Sequence, residues 1–186
     1  MFEDTPLGKG NYGDCYLGLY PFKAELVVVK KIFCKSQKEI DFLLWKKNYE
    51  NEITLLHKAS IKNKVEEFSN IVNVEPIKII SQKHRHGYII MEYCSGGSLY
   101  DLIIRKKASK KWFTFKEFST IMLDVLDGYD QIASVGILHQ DLKPDNIFIN
   151  KNKFKIGDFG LSYKINGDKA KRGGTQSYNA PEKYNF

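Results

Sequence analysis

The stretch "GILHQDLKPDNIFIN", residues 136–150, crowds His139, Asp141, Lys143, Asp145 and Asn146 between two apolar runs. Charge placed beside a core is costly unless each group has a partner. A loop of this composition therefore predicts ligands for its polar groups: a phosphate, a metal ion or a hydroxyl.

The residues after it read as two short strands, "IFIN" and "FKIGD", separated by turn residues 150–152. Upstream, residues 114–134 place Phe118, Ile121, Met122, Val125, Leu126, Tyr129 and Ile132 at spacings of three and four. Thr114 stands as N-cap there and Glu117 completes a capping box, so a helix is expected. A second helix should open at Ser98, with Asp101 three residues on. Residues 7–33 alternate like strands, and further strands are expected at 71–80 and 87–93. A helix is expected between 39 and 58, and a loop over 59–70. Strands dominate before residue 95 and helices after it. This predicts an α+β protein in two lobes joined near residues 92–97.

The 186 residues are 42% hydrophobic, enough to bury a core, so disorder is not expected. The net charge of +7 admits an anionic partner. The basic residues, however, are spread over modest clusters at Lys62 and Lys64, Arg105 to Lys111 and Lys164 to Arg172, which read as a solvated lysine-rich surface. Neither a nucleic-acid nor a membrane partner is expected. Cys15, Cys34 and Cys94 form no C-x-x-C pair and lie near no histidine at ligand spacing, so neither a disulfide framework nor a zinc site is expected. With no signal-like leader and no spanning apolar run, the expectation is an intracellular protein, cytoplasmic or nuclear.

Gly8-x-Gly10-x-x-Gly13 is a weak signal by itself. A dinucleotide-binding turn would lead from a strand into a helix, whereas "DCYLGL" after Gly13 alternates as a second strand. A glycine-rich hairpin can lay backbone N–H groups over a polyphosphate, since no Cβ blocks the approach. Lys30, in "VVVKKIF", shares a face with Val28 and Ile32 at period 2, so its ammonium should point inward and need a partner. Glu52, leading "EITLL", is the candidate, with Glu50 as competitor.

The pattern H-x-D-L-K-P-x-N at 139–146 fixes six residues, a chance match on the order of 10⁻⁶ to 10⁻⁵ for a chain of this length. Asp158-Phe159-Gly160 follows twelve residues beyond Asn146, and Ala180-Pro181-Glu182 comes after that. With these motifs in this order, the chain resembles the eukaryotic protein kinase family, serine/threonine type, from about residue 7 to its end.

The resemblance implies a two-lobed kinase fold: a β-rich N-lobe with one long helix at about 1–91, a hinge at about 92–97 and an incomplete helical C-lobe at about 98–186. It implies ATP and Mg²⁺ as cofactors. The phosphate-covering flap would be Leu7, Gly8, Lys9, Gly10, Asn11, Tyr12 and Gly13. Lys30 would hold the α- and β-phosphates with Glu52 as its ion-pair partner. Cys15, Val28 and Phe148 would sandwich the adenine, with Met91 as gatekeeper and Glu92 to Cys94 as hinge. Asp141 resembles the base that accepts the substrate hydroxyl proton, Lys143 the cation beside the moving phosphoryl group, and Asn146 and Asp158 the metal ligands. Leu56, His139 and Phe159 would stack as part of an apolar spine. Lys143 and Thr175 together resemble the pair that contacts the base in serine/threonine kinases, so the expected partner is a protein substrate with a Ser or Thr acceptor.

Two departures stand out. Gln140 occupies the position where most of the family has an arginine that pairs with a phosphorylated activation loop, so activity should not depend on phosphate at Ser162, Thr175 or Ser177. The chain also stops at Phe186, four residues after Glu182. A fragment, or a partner that completes the C-lobe, is therefore expected, and a helix 114–134 with an uncovered apolar face. The alternative reading is a non-catalytic ATP-binding or interaction module.

Overall fold

The computed structural model describes residues 5–10, 13–20, 23–36, 38, 41–43, 45–47, 49–50, 53–54, 57, 69–75, 77, 79–165 and 173–181. The chain divides into two compact units, one of Met1–Lys58 with Asn73–Tyr93 and one of Ala59–Val72 with Cys94–Phe186.

The first unit is built on a five-stranded antiparallel sheet in the order β1-β2-β3-β5-β4. Its strands are β1 (Gly8–Gly10), β2 (Gly13–Tyr20), β3 (Glu25–Phe33), β4 (Ile79–Ser81) and β5 (His86–Glu92). The β-branched run in β3 suits a central strand. It is paired on both edges, to β2 through Cys15↔Lys30 and to β5 through Val28↔Met91. The described residues between 41 and 57 are helical. Phe42, Trp45 and Tyr49 stack in succession along them, with centroids 5.5 Å apart at each step. The Tyr49 ring lies on Gly87 of β5, where an added Cβ would sit 2.8 Å from the ring. Its hydroxyl reaches between β4 and β5, bonding the carbonyls of Ile79 (3.1 Å) and Tyr88 and accepting from the Ile79 amide (3.3 Å). Gly87 pairs with Ile32, which shares a face with Lys30, so this helical run packs on the Lys30 face of the sheet.

The expected strand over 71–80 is corrected: β4 is three residues long, and before it, among the described residues, Ile71 and Val74 form isolated bridges. The segment changes partner. Val72 N–H donates to Ile156 O (2.9 Å), whereas Asn73 O accepts from the Glu92 amide (2.9 Å). An extended run that switches partner in mid-course cannot keep one ladder.

In the second unit, α1 (Leu99–Ala108) and α2 (Phe115–Ser134) each begin with the expected capping box, Ser98 with Asp101 and Thr114 with Glu117. Lys106 adds a 2.7 Å ion pair to Glu117, and that hydrogen bond, with those from Thr114, pulls the Glu117 carboxyl down to about 2. The core of this unit gathers Leu99, Ile121, Ile147 and Phe154. Two short antiparallel pairings follow: β6 (Ile137–Leu138) with β9 (Tyr163–Lys164), and the hairpin of β7 (Ile147–Asn150) with β8 (Lys153–Ile156). Segment 69–72 is stitched in by buried side chains. Asn70 donates to Phe154 O (3.0 Å) and Ser69 to Gln131 Oε1 (3.2 Å). As expected, the outward stripe of α2 exposes Phe115, Phe118, Met122, Leu123 and Leu126.

Candidate active site

The loop 139–146 is fixed first by β6 and the 3-10 turn Pro144–Asn146, which bracket it. Pro144 presets the turn, and the Asn146 amide closes it on Lys143 O (2.9 Å). Gln140, within the loop, adopts φ 68°, a conformation costly for a residue with a Cβ.

His139 is buried and has two backbone partners. Its Nε2 lies 2.9 Å from Gly157 O, which can only accept, and its Nδ1 lies 3.3 Å from the Asp141 amide, which can only donate. The neutral Nε2–H tautomer alone satisfies both. In agreement, burial holds the imidazole below its usual pKa, outweighing the upward pull of the Gly157 carbonyl and of Asp158 and Asp141. Phe159 packs edge-on to the ring at 4.8 Å, and Ser162 Oγ donates to His139 O at 3.1 Å.

Asp141, 7% exposed, receives four hydrogen-bonding groups. Thr175 donates to Oδ1 through its amide (2.8 Å) and its hydroxyl (2.9 Å). Lys143 Nζ lies 3.1 Å from Oδ2, and Asn146 Nδ2 lies 3.2 Å from the same oxygen while also donating to Asp141 O at 2.8 Å. Lys143 also donates to Thr175 Oγ1 at 2.6 Å, so the threonine hydroxyl relays from ammonium to carboxylate. Burial pushes the Asp141 pKa up, but the bonds from Thr175 and Lys143 together outweigh it and hold the carboxyl below the usual range. Gly174 makes Thr175's approach possible. At φ 100° its backbone leaves no room for a Cβ, which would meet Asn179 Oδ1 and, at 3.0 Å, Gln140 O.

The metal-ligand candidates are brought together by a register. Ile147↔Ile156 in the β7–β8 hairpin sets Asn146 and Gly157 side by side, and the Gly157 amide donates to Asn146 O at 2.9 Å. Asp158 follows at once, at φ 56°. With its amide nitrogen turned to Asp141, Asn146 keeps its side-chain oxygen, a hard donor, for another use. Among the described residues no three His, Cys, Asp or Glu side chains converge on a metal position. An Asn-Asp pair supplies only part of a coordination shell and fits Mg²⁺ carried in on phosphate oxygens.

In the first unit, the strand register puts Cys15, Val28, Lys30 and Met91 on one face of the sheet. Lys30 is 5% exposed, as its shared face with Val28 and Ile32 predicts. Gly8, Lys9 and Gly10 form β1, paired with Cys15, Asp14 and Gly13, and Leu7 N–H donates to Cys15 O at 2.7 Å. Glu92 ends β5; Cys94 and Phe148 belong to the second unit, Phe148 in β7. Glu52, Asn11, Tyr12, Leu56 and Glu182 lie outside the described residues.

Sequence reasoning missed Gly157, whose carbonyl fixes the His139 tautomer, and the buried Tyr49 anchor. A carbonyl carries no residue-type signal, and a tyrosine within a helical pattern reads as an ordinary apolar position.

The family model for the protein kinase domain matches residues 2–184. Similar proteins include the serine/threonine-protein kinase pakG of Dictyostelium discoideum, 30% identical over 96% of this chain. The serine/threonine-protein kinase Nek9 of Mus musculus is 30% identical over 97%, and the probable serine/threonine-protein kinase nek2 of D. discoideum is 30% identical over 86%. The chain spans 14%, 18% and 36% of the length of these three relatives, respectively.

Proposed function

Starting from the chain's membership of the protein kinase family, we propose that it transfers the γ-phosphoryl group of ATP to a serine or threonine hydroxyl of a protein substrate. The observation that carries this reading is the Asp141 carboxylate gripped by Thr175 and Lys143. A carboxylate held below its usual range is a weak base. Its work is to orient the acceptor hydroxyl and to take up the proton late, once the bond to the departing ADP is largely broken. Lys143 supplies positive charge where the transferred group gains negative charge. Lys30 would hold the α- and β-phosphates under the flap of Leu7 to Gly13, with Glu52 as its partner.

Asn146 and Asp158 would hold Mg²⁺, which when bound neutralises phosphate charge and aligns the phosphoryl group for transfer. Cys15 and Val28 would pack on the adenine. The Glu92 amide is spent on Asn73 O, so pairing from Glu92 to the base would use its carbonyl. On this reading residues 1–91 form the N-lobe, 92–97 the hinge and 98–186 the C-lobe, and the protein acts in the cytoplasm or nucleus.

Transfer of label from ATP to peptide libraries carrying a single Ser, Thr or Tyr tests the proposal. Label on Ser and Thr peptides, abolished in Asp141→Asn, is expected. Thermal stabilisation by ATP with no transfer, unchanged in Asp141→Asn, would replace it with the non-catalytic ATP-binding module.

A further inference from the structure

The basic run at the end of α1 is not used by the site just described. From Arg105 to Lys116 the sequence RKKASKKWFTFK holds six cations and no acid. Two of its aromatic side chains stand in solvent, Trp112 at 91% and Phe115 at 87% exposed. Leaving large aromatic surface in water is unfavourable, and a pair beside a dense cationic run is the composition of an interfacial contact.

The turn that carries them is braced by Lys106. Lys106 is committed inward: its Nζ pairs with Glu117 (2.7 Å), reaches Trp112 O (3.5 Å) and lies 4.8 Å from the Phe113 ring centroid. The Lys111 amide closes on Lys106 O at 2.9 Å, and the Thr114–Glu117 box fixes the start of α2. Lys107, Lys110, Lys111 and Lys116 are exposed.

We infer that this braced turn docks the protein on an anionic lipid bilayer, with Trp112 and Phe115 entering the headgroup layer and Lys107, Lys110, Lys111 and Lys116 meeting acidic headgroups. The charge complementarity is direct, and the aromatics choose the partner. A peptide recognised through Trp112 and Phe115 would have to bring a cavity to these projecting side chains, whereas a bilayer accepts a projecting indole and phenyl without a matching shape. The contact is peripheral, since among the described residues no helix is long and apolar enough to cross a membrane.

The test is co-sedimentation of the whole 186-residue chain with phosphatidylcholine vesicles, with and without about 30% phosphatidylserine. Binding to the acidic vesicles alone is expected, weakening as salt rises from about 0.1 M to about 0.5 M. Lys110→Glu with Lys111→Glu should weaken it by at least about tenfold, since each surface cation contributes about fivefold. Trp112→Ala with Phe115→Ala should weaken it comparably, and brominated lipid should quench Trp112 fluorescence. Thermal melting confirms that each variant folds, and should the aromatic variant fail to fold, the charge reversal decides. Equal binding to neutral vesicles, undiminished binding of the charge reversal, or binding to an oligonucleotide or an acidic peptide but not to vesicles would each overturn the inference.

Discussion

Thr175 donates twice to one oxygen of Asp141, amide and hydroxyl converging on Oδ1 at 2.8 and 2.9 Å across 34 residues of chain. The two bonds make separable predictions. Thr175→Ala keeps the amide bond and loses the hydroxyl relay, so kcat should fall roughly 10- to 100-fold with the KM for ATP little changed, because a misplaced acceptor costs rate more than nucleotide binding. Thr175→Ser should restore most of it. Steady-state kinetics of both variants check this.

Protonation of His139 would break its bond from the Asp141 amide, which fixes the sign of a pH effect. Its folded pKa is below the ordinary 6.5, chiefly through burial, so the unfolded chain takes up the proton first as pH falls. Stability is full above about 6.5 and declines as pH drops from there toward the folded pKa. His86 is lowered as well, by burial and by Lys31, and contributes with the same sign. Urea unfolding at several pH values from about 7.5 down to about 5.5 should show the decline, and His139→Gln should remove its own share.

For Asp141 the direction also favours the charged form, but the window lies in acid. Its contribution to stability is present above the ordinary carboxylate pKa of 3.8 and lost as pH falls through the depressed folded value. The acid limb of kcat/KM should therefore show no ionisation of Asp141 between about pH 5 and 8. A carboxyl-carbon NMR titration of Asp141 with its midpoint inside that range would contradict this.

Ser162 is buried and donates to His139 O, and Thr175 is engaged at Asp141, so of the three hydroxyls only Ser177 is exposed to a modifying enzyme. Gln140 offers a phosphate there no guanidinium. Treatment with a phosphatase should leave the rate within about twofold of the untreated value. A large loss of activity would show a link that does not run through residue 140.

The Tyr49 anchor gives a stability prediction. Tyr49→Phe removes a hydroxyl that serves Ile79 and Tyr88 and should cost about 1–3 kcal/mol. Gly87→Ala places a Cβ 2.8 Å from the ring and should cost about 1–3 kcal/mol. Denaturant melts of the two single variants and the double variant should show coupling between the sites.

Features fixed by neighbours in sequence were legible before the fold was known. Both capping boxes lie within four residues, and the inward turn of Lys30 follows from period 2 with Val28 and Ile32. The acidic, basic and amide residues of the site were legible as a spaced pattern. What resisted reading depends on distant partners. Segment 71–75 divides its bonds between Ile156 on one side and Glu92 and Ile90 on the other, so its own alternation could not reveal a broken ladder. The left-handed backbone at Gln140 has no residue-type signal, and at Asp158 an aspartate's tolerance of that region is too weak a signal to place it.

The reach of Thr175 back to Asp141 bears on how the protein is made. During synthesis both helices of the second unit and the β7–β8 hairpin emerge well before residue 175, and each is held by contacts already present in the nascent chain. The carboxylate they present has only its partners at Lys143 and Asn146 until residue 175 leaves the ribosome. The grip on Asp141 thus matures after the loop that carries it, and a polypeptide released short of Thr175 holds the loop without its completed partners.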